Sequence, residues 1–194
     1  MKKHNPMQRP TTAELETELK RVRYKARYNR VLKSTLFSLI TVAAAAVLVA
    51  TLWLPVLQIY GNSMTPTLQN GEIVFSLKSS RLEQGDVVAF YYNNKILVKR
   101  VIAGPGAWVN LDENGTVYIN SVALEEPYVT EKAFGQTNIE LPYQVPDGQY
   151  FVMGDHRESS VDSRNTAVGC ITADQIVGKI VYRVWPLEGL GSVE

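Results

Sequence analysis

Three short stretches hold the side chains best suited to chemistry. Ser63 sits in GNSMTPTL (61–68), Lys99 in KILVKRV (95–101), and His156, Ser160, Asp162 and Arg164 in GDHRESSVDSR (154–164). A serine hydroxyl is a poor nucleophile until a neighbouring base takes its proton. Strand alternation places Leu97, Lys99 and Val101 on one face of the second stretch and Ile96, Val98, Arg100 and Ile102 on the other. Each face carries one cation among apolar neighbours. Either both heads snorkel to water, or one is buried and its amine is neutral. Lysine ionises near ~10.4, and desolvation lowers that value. To act as a base near neutrality it must fall by roughly three units, a cost of about 4 kcal/mol. A guanidinium does not deprotonate in proteins, so a base on this strand is Lys99 and not Arg100.

Plainer readings stand beside these. A serine among Gly, Asn, Thr and Pro is ordinary turn chemistry, and the stretch is not a G-x-S-x-G elbow, because Thr65 occupies the last glycine position. The histidines are His4 and His156. A histidine-based site would use His156, whose polar stretch is equally a hydrogen-bonded loop with Asp162 paired to Arg164. Two histidines and the single Cys170 are too few for a typical structural zinc site, and one cysteine forms no internal disulfide.

The elements that must position these residues are mostly strands. EIVFSLK (72–78), DVVAFYY (86–92), KILVKRVIA (95–103), TVYIN (116–120), QYFVM (149–153) and IVGKIVYRVW (176–185) are rich in β-branched and aromatic residues. Asn93-Asn94, Asn114-Gly115 and Asp147-Gly148 supply turns between them. Asn93-Asn94 can join 86–92 to 95–103 as a tight hairpin. The expectation is one antiparallel β domain.

Ahead of that domain, Ser34 to Gly71 contains no charged residue. Its core, 34–54, matches the roughly 20 residues that cross a bilayer as a helix. Trp53 and Tyr60 lie near one end, where amphipathic rings prefer the interface, and Pro55 stops the helix. Residues 1–33 hold ten Lys/Arg against three acids, whereas 34–194 hold ten against sixteen. The basic flank predicts a cytoplasmic N-terminus and an outer C-terminal domain; its position against the span favours this topogenic role over nucleic-acid binding. Thr11 and Glu14 fit a capping box, predicting a helix from about residue 12. The division is therefore a basic segment 1–33, a span 34–54 and a β domain 55–194.

Together the three stretches resemble the bacterial type I signal peptidases, membrane-anchored enzymes with a Ser/Lys dyad. GNSMTPTL is similar to the family's nucleophile box, ILVKRVIAGPG to its lysine box and GDHRESSVDSR to its G-D-N-R-x-x-S-x-D-S-R box, in the same order behind one N-terminal anchor. The resemblance spans about residues 31–190. It implies a mostly antiparallel, barrel-like β domain, Ser63 as nucleophile and Lys99 as general base. Ser160 would orient the lysine amine, and Asp162 and Arg164 would support the site as an ion pair. The Ser63 N–H and Gly61 are the implied oxyanion positions, although some family members carry a serine where this chain has Gly61. Met64, Ile59 and Leu97 would line the substrate site. Two further departures are His156 in place of Asn and Ala107 in place of the usual Asp of the lysine box.

The implied reaction is removal of signal peptides from secreted preproteins after small residues (A-x-A), needing no cofactor or metal. The implied location is a bacterial cell membrane, with preproteins and the lipid bilayer as partners and no nucleic acid. Eight residues, Pro55 to Asn62, separate the span from Ser63; extended, they reach under roughly 30 Å, which confines the serine near the membrane surface. Substrate pairing is expected along 57–63 and 96–99 by β-augmentation. Three rivals remain at this level: a self-cleaving Ser/Lys repressor peptidase, which would carry a DNA-binding module instead of a span; a Ser-His hydrolase using His156 and Asp155; and a non-catalytic tethered β module.

Overall fold

The computed structural model describes residues 11–53, 55–78 and 81–193. Residues 1–10 of the basic segment, His4 among them, Leu54 at the end of the expected span and the side chain of Trp53 lie outside the described residues. The chain divides into two units after Val49.

One helix, α1, runs Thr12–Trp53 without interruption. Glu14 Oε2 accepts the Thr11 N–H at 2.9 Å, one half of the expected capping box. Part of this helix is long and apolar enough to cross a membrane. Its Leu36, Phe37, Leu39 and Ile40 side chains are all exposed, an arrangement suited to hydrocarbon rather than water.

Among its described residues the second unit has twelve strands: β1 (Val56–Gln58), β2 (Ile73–Leu77), β3 (Val87–Tyr92), β4 (Lys95–Ala103), β5 (Trp108–Leu111), β6 (Val117–Ile119), β7 (Val122–Ala123), β8 (Tyr143–Gln144), β9 (Gln149–Met153), β10 (Ile171–Thr172), β11 (Ile176–Trp185) and β12 (Gly191–Ser192). The larger sheet has the order β1-β2-β11-β3-β4-β9-β10, with β12 against β11. The smaller has the order β7-β6-β5-β8. Every pairing is antiparallel. The expected β domain is thus observed, but the barrel-like closure is loose: β1 and β10 end the larger sheet without meeting each other.

The six expected strands all form. The 86–92 and 95–103 runs pair from Val87–Arg100 to Tyr92–Lys95, turning at Asn93, whose φ of 51° is one asparagine tolerates. β4 is the element that matters most for the site. It is exposed at its hairpin end and buried on both faces from Lys99 to Ala103. One core cluster joins Ile59, Met64 and Leu68 to Val74, Val87, Ala89 and Ile180. A second, around Val88, Phe90, Val101 and Val152, covers another part of the sheet. A third, around Ile102, Val109, Val117, Phe151 and Met153, seals the smaller sheet against the larger.

Candidate active site

Ser63 lies on the loop that joins β1 to β2. The base of the loop is stapled by Ile59 N–H donating to Glu72 O and Gly71 N–H donating to Ile59 O, both at 2.8 Å. Met64 and Leu68 are buried in the core beneath it, and Leu68 N–H donates to Met64 O at 2.9 Å. Two apolar anchors therefore pin a short turn whose serine remains half-buried and open to a groove.

Lys99 reaches that serine from β4. Its Nζ is 2.6 Å from Ser63 Oγ, and the residue is only 3 % exposed. The snorkelling alternative is therefore excluded. Burial pushes the Lys99 ammonium down from 10.5 to about 8; the Asp162 carboxylate opposes this, Arg164 reinforces it, and Asp155 opposes it again. The displacement corresponds to about 3 kcal/mol. A neutral amine at hydrogen-bond distance from a hydroxyl can accept its proton.

The third stretch surrounds the pair with buried charges that are neutralised in place. Arg164 Nε and Nη2 donate to Asp162 Oδ1 and Oδ2, each at 2.9 Å, forming the expected ion pair. Asp162 Oδ2 also accepts the Gly154 N–H at 3.0 Å. Arg164 Nη2 donates to the carbonyls of Arg157 and Ser160, tying the turn together. Gly154 itself leaves no room for a side chain, since a Cβ there would overlap the Ser160 hydroxyl and the Ser63 carbonyl oxygen.

Two expectations are corrected. Ser160 is buried, but its Oγ has no hydrogen-bond partner among the described residues, so the lysine-orienting contact is not formed. Its backbone N–H and C=O are both engaged by the turn. Gly61 is withdrawn as an oxyanion donor: its N–H is committed to Asn70 Oδ1 at 2.9 Å, and its φ of 88° explains the glycine. The Ser63 N–H has no acceptor among the described residues and stays available.

His156 does not meet Ser63 through its ring. Its Nδ1 is 2.7 Å from Ser159 Oγ, while its backbone N–H donates to the Ser63 carbonyl at 3.1 Å. Asp155, the other half of a histidine-based site, is occupied by Arg100, with Nε–Oδ1 and Nη2–Oδ2 distances of 2.9 and 2.8 Å.

Residue-level reasoning missed what Arg100 does. Its partner Asp155 also accepts from Thr67 Oγ1 at 2.6 Å, and the guanidinium lies 3.9 Å over the Tyr128 ring. This network ties the nucleophile loop, β4 and the 154–164 turn together. A second missed pair is Arg157–Glu126, 2.6 Å apart and fully buried. The cation beside Lys99 on an apolar strand was the available signal for the first; nothing in the sequence pointed to Glu126.

Beside Ser63 and Lys99 runs a groove of about 670 Å³. Its walls come from 57–64 and 94–99 and include Ile59, Met64 and Leu97, the three expected substrate-site residues. No cluster of His, Cys, Asp and Glu suited to a metal occurs among the described residues.

The chain is similar to several known proteins. The family model described as signal peptidase, peptidase S26, matches residues 32–185. Signal peptidase IB of Staphylococcus aureus is 41 % identical over 148 residues, covering 66 % of this chain and 76 % of that protein. Signal peptidase I of Bacillus amyloliquefaciens is 37 % identical over 165 residues, covering 78 % and 84 % respectively. A crystal structure of a signal peptidase I from Enterococcus faecalis V583 aligns with a TM-score of 0.44 at 29 % identity, covering 52 % of this chain and 97 % of that one.

Proposed function

The chain belongs to the signal peptidase family, peptidase S26, whose members are serine endopeptidases that remove signal peptides, and we propose that it does so with Ser63 as nucleophile and Lys99 as general base. The observation that carries this reading is the 2.6 Å approach of a buried lysine to the serine of a tethered loop.

The proposed course follows from the geometry. Neutral Lys99 takes the Ser63 proton as Oγ attacks the scissile carbonyl. The Ser63 N–H, without an acceptor among the described residues, donates to the developing oxyanion. Lys99 then passes its proton to the leaving amine, leaving an acyl-enzyme on Ser63. Water deprotonated by Lys99 releases the acyl group and regenerates both residues. Asp162 and Arg164 support the turn behind Lys99 and do not touch the substrate.

The substrate lies extended in the groove, pairing its backbone with 57–63 and 96–99. Ile59, Met64 and Leu97 restrict the residues before the cut to small ones, in an A-x-A pattern. Residues 34–54 span a bacterial cell membrane, 1–33 lie in the cytoplasm and 55–194 form the catalytic domain outside. The basic flank and the charge-free stretch after it support that orientation.

A synthetic peptide bearing Ala-x-Ala, incubated with detergent-solubilised protein and with its Ser63→Ala variant, tests this reading by mass spectrometry. Cleavage after the second Ala by the unsubstituted protein alone is expected. Cleavage by both forms contradicts Ser63 as nucleophile, and cleavage by neither, with folded protein, contradicts the substrate assignment.

A further inference from the structure

Ser63 lines one cavity, and its chain neighbours line a second. The serine hydroxyl opens into the apolar groove already described. The second cavity, about 240 Å³, begins two residues further along the chain at Thr65 and Pro66 and is closed by Glu131 and the turn from Asp155 to Glu158. His156, part of that turn, donates its backbone N–H to the Ser63 carbonyl. The second cavity therefore lies next to the backbone of the reactive residue, and it shares no lining residue with the groove.

Its charges are of two kinds. Asp155 and Arg157 are buried and neutralised, by Arg100 and Glu126 respectively. Glu131 and Glu158 are exposed and have no ion-pair partner among the described residues. Lys132, the cation next to Glu131 in sequence, is exposed and is not part of the wall. A small cavity edged by two uncompensated carboxylates beside a reactive serine presents a negative field to whatever enters it.

Building on the peptidase reading above, we propose that this cavity receives the residues just after the scissile bond, and that Glu131 and Glu158 select substrates with Lys or Arg among the first three. A peptide whose N-terminal side fills the apolar groove continues past Ser63, and the second cavity opens beside Thr65 and Pro66, just beyond that serine in the chain. An extended residue advances about 3.3–3.6 Å, so two or three residues carry a side chain into the cavity. The apolar groove then reads the signal-peptide side of the cut, and the acidic cavity reads the first residues of the mature chain. Specificity is set on both sides of one bond, by packing on one and by charge on the other.

The test uses the full chain in detergent and three Ala-x-Ala peptides that differ only in the second residue after the cut, which is Lys, Gln or Glu. The expected kcat/KM for the Lys peptide exceeds that for the Glu peptide by roughly 5- to 10-fold at low salt, the scale of two exposed charge contacts. That ratio falls below about 2 in an E131Q/E158Q double variant and contracts in about 0.5 M salt. It persists in E113Q, which removes an exposed acid from the turn between β5 and β6. Equal rates for all three peptides, or a ratio that survives the double variant, overturn the acidic subsite while leaving the peptidase reading intact. Failure to cut any of the three overturns both, so the two failures are told apart.

Discussion

Lys99 and Arg100 are consecutive residues of β4, 3 % and 1 % exposed, and the fold treats them in opposite ways. Arg100 is matched by the two oxygens of Asp155, by Thr67 and by the face of Tyr128. Among the described residues Lys99 has no ion-pair partner, and its amine lies against the Ser63 hydroxyl. A buried guanidinium cannot shed its charge, so it must be paired. A buried ammonium can lose its proton instead, and desolvation drives it to do so. The same burial thus yields a structural clamp at one position and a candidate base at the next.

The largest way to break this contrast is to give position 99 the chemistry of position 100. Lys99→Arg keeps the charge and removes the ability to accept a proton. A loss of at least about 1,000-fold in kcat/KM is expected with folding retained, comparable to removing other activating bases. Steady-state cleavage of the Ala-x-Ala peptide, with circular dichroism to confirm the fold, measures it.

A pair of methionine substitutions sharpens the contrast in stability. Arg100→Met strands Asp155 as a buried, unpaired carboxylate and should cost about 3–5 kcal/mol. Lys99→Met removes a cation whose burial is uncompensated and should stabilise the fold by up to about 3 kcal/mol near pH 7. The sign follows from linkage. Below about pH 8 Lys99 is protonated in both folded and unfolded chains, and the folded chain bears the full desolvation cost. Between about 8 and the unperturbed 10.5 the unfolded chain binds more protons, so stability of the unsubstituted protein rises with pH. The advantage of Lys99→Met should therefore shrink across that window. Denaturant melts of both variants at pH 7 and at pH 9.5 report it.

Much of this arrangement was legible because strand alternation is a strong signal over long runs. The β3–β4 hairpin follows from two apolar runs around Asn93-Asn94, and it fixes where Lys99 lies. The smaller sheet was largely invisible. β7 and β8 are two residues each, β5 only four, and so short a run carries little periodicity. The site divides in the same manner. Ser63, Lys99 and the Asp162–Arg164 pair stand in compact motifs, and the likeness of those motifs to a known family singles them out. Arg100–Asp155 joins residues 55 apart in sequence, and only the packed sheet brings them together. The local hydrogen bond from Gly61 to Asn70 had the reverse effect: it removed an oxyanion donor that motif position alone had suggested.

The central claim is that a neutral lysine, not histidine, activates Ser63. The pH dependence of kcat/KM on the Ala-x-Ala peptide, for the unsubstituted protein and for His156→Ala, tests it most directly. The account predicts an ascending limb with an apparent pKa near 8, the value to which burial brings Lys99, retained in His156→Ala with a loss of activity within about 10-fold. An ascending limb near the ~6.5 of an ordinary histidine, abolished together with activity in His156→Ala, would contradict it.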